Sequence, residues 1–301
     1  MIQPPEVETF IVREQLPQSF RATIERVYAP LAAIFERVIE AKQPYLIGLS
    51  GPQGSGKSTG AAALQLLLRA RGLKVALLSL DDVYLTLADR RRLAADIHPL
   101  LATRGPPGTH DLDLLNAVLT ALRKGADVAL PAFDKARDDR RPEPDWPVFA
   151  GPADVIILEG WCVGARPAPA QTLERPLNAL ERDLDPDGVW RRFVNTMLEH
   201  YQRLFQSLDF LILLQAPSFD VVADWRAEQE AKLRAAVKSP SEDLRLMSPA
   251  QIARFVQHYE RVTRDLIQDG PARADALVKL NAERGILGLT IRAAGFRNVG
   301  P

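Results

Sequence analysis

One cysteine in 301 residues, Cys162, leaves no internal disulfide framework and no multi-cysteine zinc site to consider, and it suits a reducing compartment. The expectation for it is a packed structural thiol. Long hydrophobic runs are also scarce: the stretch Phe-Leu-Ile-Leu-Leu between Asp209 and Gln215 is far shorter than the roughly eighteen residues a membrane span needs. Glu6, Glu8 and Glu14 interrupt any apolar core near the start, so no secretion signal is expected and the protein is read as cytoplasmic, with no membrane partner. Nor is there an excess of either charge. Lys plus Arg (38) equals Asp plus Glu (38), so no net field draws the whole chain to nucleic acid, and a small-molecule partner is expected. Oligomeric state has no signature here. No internal repeat or low-complexity tract is present, and 47% apolar with 25% charged residues excludes disorder and a coiled coil as whole-chain descriptions.

Short β-type runs alternate with longer segments of helical period. Strands are expected at Tyr45–Ser50, Lys74–Leu80, Val155–Glu159 and Phe210–Gln215, and helices at Thr59–Arg71, Asp111–Lys124 and Val189–Leu208. The strands are apolar throughout rather than alternating, as in a sheet covered by helices on both faces. The fold class is therefore α/β, a doubly wound parallel sheet of the P-loop NTPase type flanked by helices. Residues 1–42, with a probable helix at Ala22–Ala41, form an N-terminal helical extension, residues 43–301 the core, and the whole is read as one domain. Ala274–Leu280 is expected as a late edge strand. The seven prolines of Pro142–Pro176 make the flanks of the Val155 strand loops.

Gly51-Pro52-Gln53-Gly54-Ser55-Gly56-Lys57-Ser58 matches G-x-x-x-x-G-K-[ST] and sits between an apolar strand and an Ala/Leu-rich helix, the context a phosphate loop requires. Glycines let successive backbone N–H groups converge on one anion, and the following helix adds its positive end. Gly51, Gln53, Gly54, Ser55, Gly56, Lys57, Ser58 and Thr59 are the expected nucleotide contacts, with Lys57 reaching the β and γ phosphates and Ser58 offering a hydroxyl to Mg²⁺. ATP is the expected nucleotide, because the N-K-x-D guanine signature is lacking, and without L-S-G-G-Q the chain does not read as a transporter ATPase. Val155–Leu158 runs into Glu159-Gly160, placing a carboxylate near the metal side of the loop. Glu159 is expected in the Mg²⁺ shell, the bland alternative being a cap on the next turn.

The second strand ends in Asp81-Asp82-Val83-Tyr84. An acceptor hydroxyl is a poor nucleophile unless a carboxylate positions it and takes its proton, so Asp81 is expected as base, with Asp82 capping a helix or lying in the outer metal shell. Two polar loops, Arg104–Asp111 and Phe133–Arg141, mix cations with hydrogen-bonding groups. Arg137 and Arg140 there suit an anionic hydroxy acid, since arginine takes a carboxylate through two parallel hydrogen bonds; a solvated charged turn is the plain alternative. His110 could equally be a helix-start residue, with Thr109 or Asp111 as cap. Trp225–Leu233, carrying Arg226 and Lys232 with Arg234 just beyond, is read as a mobile element closing over ATP.

These residues resemble the D-glycerate 3-kinases, within the wider phosphoribulokinase, uridine kinase and pantothenate kinase group. The resemblance runs through Gly51–Ser58, Asp81–Thr86, Arg104–Asp111, Phe133–Lys135, Leu158–Gly164, Trp225–Glu230 and Met247–Tyr259. It implies a Mg²⁺·ATP-dependent kinase that converts D-glycerate to 3-phosphoglycerate, with Lys57 and Asp81 catalytic. It places the acceptor against the loop of Thr109, His110 and Asp111 and against Phe133-Asp134, with Asp82 and Tyr84 beside them. Val83 stands where the wider group carries phenylalanine. A nucleoside, pantothenate or sugar phosphate remains open as acceptor, and so does a nucleotide-binding module without turnover.

Overall fold

In the computed structural model, residues 4–39, 44–236 and 247–292 are described. Six strands form the main sheet: β1 (Tyr45–Ser50), β2 (Val75–Ser79), β3 (Val155–Gly160), β4 (Phe210–Gln215), β5 (Ala276–Leu280) and β6 (Ile286–Ile291). Their spatial order is β6-β5-β4-β1-β3-β2. The five from β2 to β5 run parallel, and β6 returns antiparallel to β5. The doubly wound sheet is thus present. Its rim differs from expectation at one point: Ala276–Leu280 is an interior strand, because Ile286–Ile291 folds back over it through a tight turn and becomes the edge. The glycines and charges of Glu283–Gly288 had hidden that last strand.

Alternation along each strand divides its side chains between two cores. Ile47, Leu49, Val155 and Ile157 face the phosphate-loop helix Lys57–Arg69 and the N-terminal helices, whereas Leu46, Ile156 and Leu158 face the helices Leu112–Arg123 and Val189–Gln206. This is why the strands read as unbroken apolar runs. The extension consists of the helix Pro4–Arg13 and a helical stretch from Phe20 to Ile39, which contains a π-turn at Ile24–Tyr28. Val7, Phe10, Leu31 and Phe35 belong to the same buried cluster as Leu64 and Ile47, so the extension completes the core on one face of the sheet.

Between the main strands, the proline-rich region is loop broken by short pieces. Phe133–Asp134 pairs with Asp139–Arg140 in a small hairpin, and Val128–Ala129 pairs with Val148–Phe149. Cys162 is buried, and burial pushes its thiol pKa up, which fits a packing role. No described helix is long and apolar enough to cross a membrane.

Candidate active site

Three parallel strands end side by side, and each delivers part of a site at its C-terminal end, where open α/β sheets bind ligands. From β1 the chain enters the phosphate loop, with Gly56 capping the helix Lys57–Arg69. Gly54 has a φ of +75°, and a Cβ there would come 2.5 Å from Cβ of Trp225 and 2.9 Å from its carbonyl carbon. Only glycine lets the loop lie this close to that backbone. Trp225 is buried and donates its indole N–H to the Ala282 carbonyl at 2.6 Å, so the described part of the helix Asp220–Ala236 is packed down on the loop. The side chains of Lys232 and Arg234 lie outside the described residues.

Glu159, at the end of β3, is buried. Its Oε1 accepts hydrogen bonds from the Ser58 hydroxyl at 2.9 Å and the Ser79 hydroxyl at 2.8 Å, while its Oε2 has no partner. Among the described residues no group of three or more His, Cys, Asp or Glu is arranged to hold a metal. A spare carboxylate oxygen beside the loop serine fits Mg²⁺, which usually takes one or two protein oxygens and fills its shell with water and phosphate.

Past β2 the chain makes a tight turn, Leu80–Val83, capped by Ser79, whose hydroxyl accepts from the Asp81 N–H. The turn aims two carboxylates into different surroundings. Asp81 accepts from the Tyr84 hydroxyl at 2.6 Å and from the Lys135 ammonium at 2.7 Å. Burial pushes its pKa up, but the charges of Lys135 and Lys57 and the hydrogen bonds from Lys135 and Tyr84 outweigh that and hold it well below the usual carboxylate range. Among the described residues Asp82 accepts only from the Phe133 N–H, at 3.2 Å. Burial pushes its pKa up to about 6, with the charges of Asp81 and Glu159 adding to the effect against the pull of Phe133 N–H and Lys135. Neighbouring carboxylates with such divergent titrations are characteristic of functional sites.

His110 lies across from this pair. Its ring stacks on Tyr84 with centroids 4.9 Å apart, and Phe133 meets the other side of Tyr84 edge-on. Nδ1 is 2.7 Å from the Tyr201 hydroxyl, which accepts from the Gly108 N–H; in the assigned tautomer the tyrosine donates to Nδ1 and the imidazole proton is on Nε2. Burial pushes the His110 pKa down to about 4, keeping the ring neutral, and Nε2 is buried without a partner.

The other expected acceptor residues are placed less directly. Thr109 is buried, accepting from Gly105 N–H and donating to the Pro106 carbonyl, so it shapes the loop. Asp111 caps the helix Leu112–Arg123 and accepts from Arg140 at 3.0 Å. Arg140 also donates to the Tyr84 carbonyl through Nε and Nη2, so its fork braces the Tyr84–His110 pair. Asp134 closes the hairpin turn by accepting from Ala136 and Arg137 N–H. Arg137 is 81% exposed and only 3.8 Å from Asp134, so it is not drawn in with the others.

Sequence reasoning gave no site role to Ser79, Tyr201, Lys135 or Tyr259, and it read Arg226 only as part of the Trp225–Leu233 element. Ser79 and Tyr201 have no local signature, because a strand-end serine and a helix tyrosine are ordinary. Lys135 follows Phe133-Asp134 and was visible as a neighbour, though not as the partner of Asp81. Arg226 pairs with Glu230 at 2.8 Å and lies over the Phe255 ring, yet its Nη1 is buried and unpartnered. Tyr259 connects this region to the phosphate loop: its hydroxyl donates to the Arg104 carbonyl at 2.8 Å and lies near the Gln53 side chain, whose Oε1 has no partner.

The profile of the phosphoribulokinase / uridine kinase family matches residues 46–165, which contain the phosphate loop, both aspartates and Glu159. A fission-yeast protein named "Uncharacterized kinase mug58" is 38% identical over 228 residues, covering 72% of this chain and 79% of that protein. The chain belongs to the phosphoribulokinase/uridine kinase family. As a member it is a P-loop kinase, a phosphotransferase by lineage. The chloroplastic D-glycerate 3-kinase of Arabidopsis thaliana is 30% identical over 77% of this chain, which spans half of that longer protein. Among solved structures, a D-glycerate 3-kinase from Cryptococcus neoformans superposes with a TM-score of 0.68 at 26% identity, covering 87% of this chain and 98% of the fungal one.

Proposed function

We propose that this chain, acting as one unit, phosphorylates the 3-hydroxyl of D-glycerate using Mg²⁺·ATP. The observation that carries this reading is the Asp81 carboxylate, fixed by Tyr84 and Lys135 at the strand edge where Ser58 and Glu159 meet. Two relatives named as D-glycerate 3-kinases support the acceptor.

Bound Mg²⁺·ATP would supply the electrophilic phosphorus and neutralise charge on the leaving phosphates. Ser58 and the spare Oε2 of Glu159 are the groups to hold the metal, directly or through water. Backbone N–H groups of Gly51–Thr59 and the helix start grip the phosphate chain, and Lys57 balances its charge. Asp81, kept ionised by its two cationic neighbours, accepts the hydrogen of the substrate hydroxyl and fixes its direction of attack. So weak a base takes the proton late, as the oxygen–phosphorus bond forms, which suits a loose transition state in which positioning dominates. Neutral His110 offers Nε2–H to an acceptor oxygen. For the substrate carboxylate the spare Nη1 of Arg226 is the available cationic donor, since Arg140 is already engaged. Asp82, Tyr84, Thr109, Asp111, Asp134 and Arg140 hold these groups in place.

The test is ADP release across a panel of D-glycerate, L-glycerate, pantothenate, nucleosides and sugar phosphates, with the product identified by phosphorus NMR. D-Glycerate is expected to give the highest kcat/KM and 3-phosphoglycerate as product. A higher kcat/KM for pantothenate or a nucleoside overturns the acceptor, and no turnover with any acceptor overturns the kinase reading.

A further inference from the structure

A cleft of about 520 Å³ opens on the side of the phosphate loop away from the aspartates. Gly54–Thr59 form its floor, the turn Glu283–Ile286 one wall, and the N-terminal segment Leu16–Arg26 the wall opposite; Asp81, Asp82 and Glu159 take no part in its lining. Its volume is in the range of small-molecule sites, about 300–1,000 Å³. A phosphate chain lying on the loop has its reacting end toward Asp81 and must send its nucleoside the other way, into this cleft.

The extension is seated there by close packing. A Cβ on Gly60, in the first turns of the phosphate-loop helix, would fall 2.0 Å from the Tyr28 hydroxyl, so Tyr28 lies directly against that helix. The π-turn Ile24–Tyr28 occurs at the same point. Such insertions shift the face a helix presents and recur at functional sites. Along this stretch Ser19, Thr23 and, within the π-turn, Arg26 line the cleft together with the partly buried side chains of Leu16 and Phe20. Arg26 is exposed and pairs with no carboxylate among the described residues, giving this wall a planar cation. Across the cleft Arg284 is held at a φ of +64°, its guanidinium over the Trp225 ring and paired with Glu228. Non-glycine residues in that region of φ are uncommon and often mark sites.

We infer that the N-terminal segment Leu16–Arg26 is a working wall of the donor site, holding the base and ribose of the nucleoside triphosphate against the Glu283–Ile286 turn. This rests on the kinase reading above but concerns the donor alone. Ser19 makes no capping bond and is exposed, and Thr23 lies one turn further along, so a bulky residue at either fills the cleft without removing a described contact.

Calorimetric titrations of ADP and of tripolyphosphate into wild type, Ser19→Trp and Thr23→Trp test it. Tripolyphosphate needs only the loop, whereas ADP needs the loop and the cleft. At least one tryptophan variant is expected to weaken ADP about tenfold or more, equivalent to ~1.4 kcal/mol, with tripolyphosphate within about twofold. Unchanged ADP affinity in both tryptophan variants overturns the inference, as does parallel loss of both ligands, which would mean a disturbed loop. If wild type binds neither ligand, the kinase reading itself fails.

Discussion

The two halves of the site are built on different physical principles. The phosphate half is a contiguous backbone loop, Gly51–Ser58, running into the start of a helix, and its tolerance is set by how closely Trp225 lies against Gly54. The acceptor half is side chains from five separate segments, and its behaviour is set by charge balance among Asp81, Asp82, Lys135 and the neutral His110. A backbone cradle should fail sterically and ignore pH. A charge-balanced cluster should fail atom by atom and respond to pH.

The largest expected effect isolates the acceptor half. Asp81→Asn keeps size but cannot take a proton, so kcat should fall about 10²–10⁴-fold, roughly 3–5 kcal/mol in the barrier, while ADP affinity stays within about twofold. Equal loss in both would show that the halves are not separable. Gly54→Ala attacks the other half: it forces a Cβ onto the Trp225 backbone at positive φ, for a combined cost of about 2–5 kcal/mol. Chemical denaturation should show that loss together with weakened ADP binding, and a variant as stable as wild type would remove the steric account.

Asp82→Asn probes the charge balance through stability. The folded pKa of Asp82, about 6, lies above its unfolded value, so proton uptake favours the fold below about pH 4 and that advantage is lost as pH rises through 6. At pH 8 the asparagine variant should therefore be more stable than wild type, by at most about 3 kcal/mol, with the gain vanishing at pH 4. Urea titrations at the two pH values decide it; a gain independent of pH would break the assignment. Tyr201→Phe removes the hydroxyl that orients His110 and receives Gly108 N–H. It should raise acceptor KM about fivefold, near 1 kcal/mol, with ATP KM unchanged. Smallest of all is Arg137→Ala: an exposed, loosely paired cation is worth about 0–1 kcal/mol, and acceptor KM should move less than about threefold. A tenfold change would return Arg137 to the substrate carboxylate.

Legibility followed this same division. The strand–loop–helix around Gly51–Ser58 could be read directly because all its determinants are contiguous, and the β1, β3 and β4 strands because burial on both faces writes an unbroken apolar run. Ile286–Ile291 could not, since Gly285 and Gly288 break up its short, half-buried apolar run and its turn looks like any charged loop. On the acceptor side, Asp81 and Asp82 were visible as a pair but not as opposites. Their difference depends on Lys135, more than fifty residues along the chain, and on how deeply each carboxylate is set.

By itself the sequence determined the central strands β1, β3 and β4, the phosphate loop with its serine and lysine, and the presence of two carboxylates at the next strand end, all properties of local periodicity and spacing. Only the tertiary structure decided which carboxylate stays ionised, that His110 is neutral with a free Nε2, that Arg140 braces the Tyr84–His110 pair, and that the N-terminal extension walls the cleft beside the phosphate loop. Those outcomes depend on distances between segments far apart in the chain, and hydrogen bonds and charge interactions act across space without regard to sequence separation.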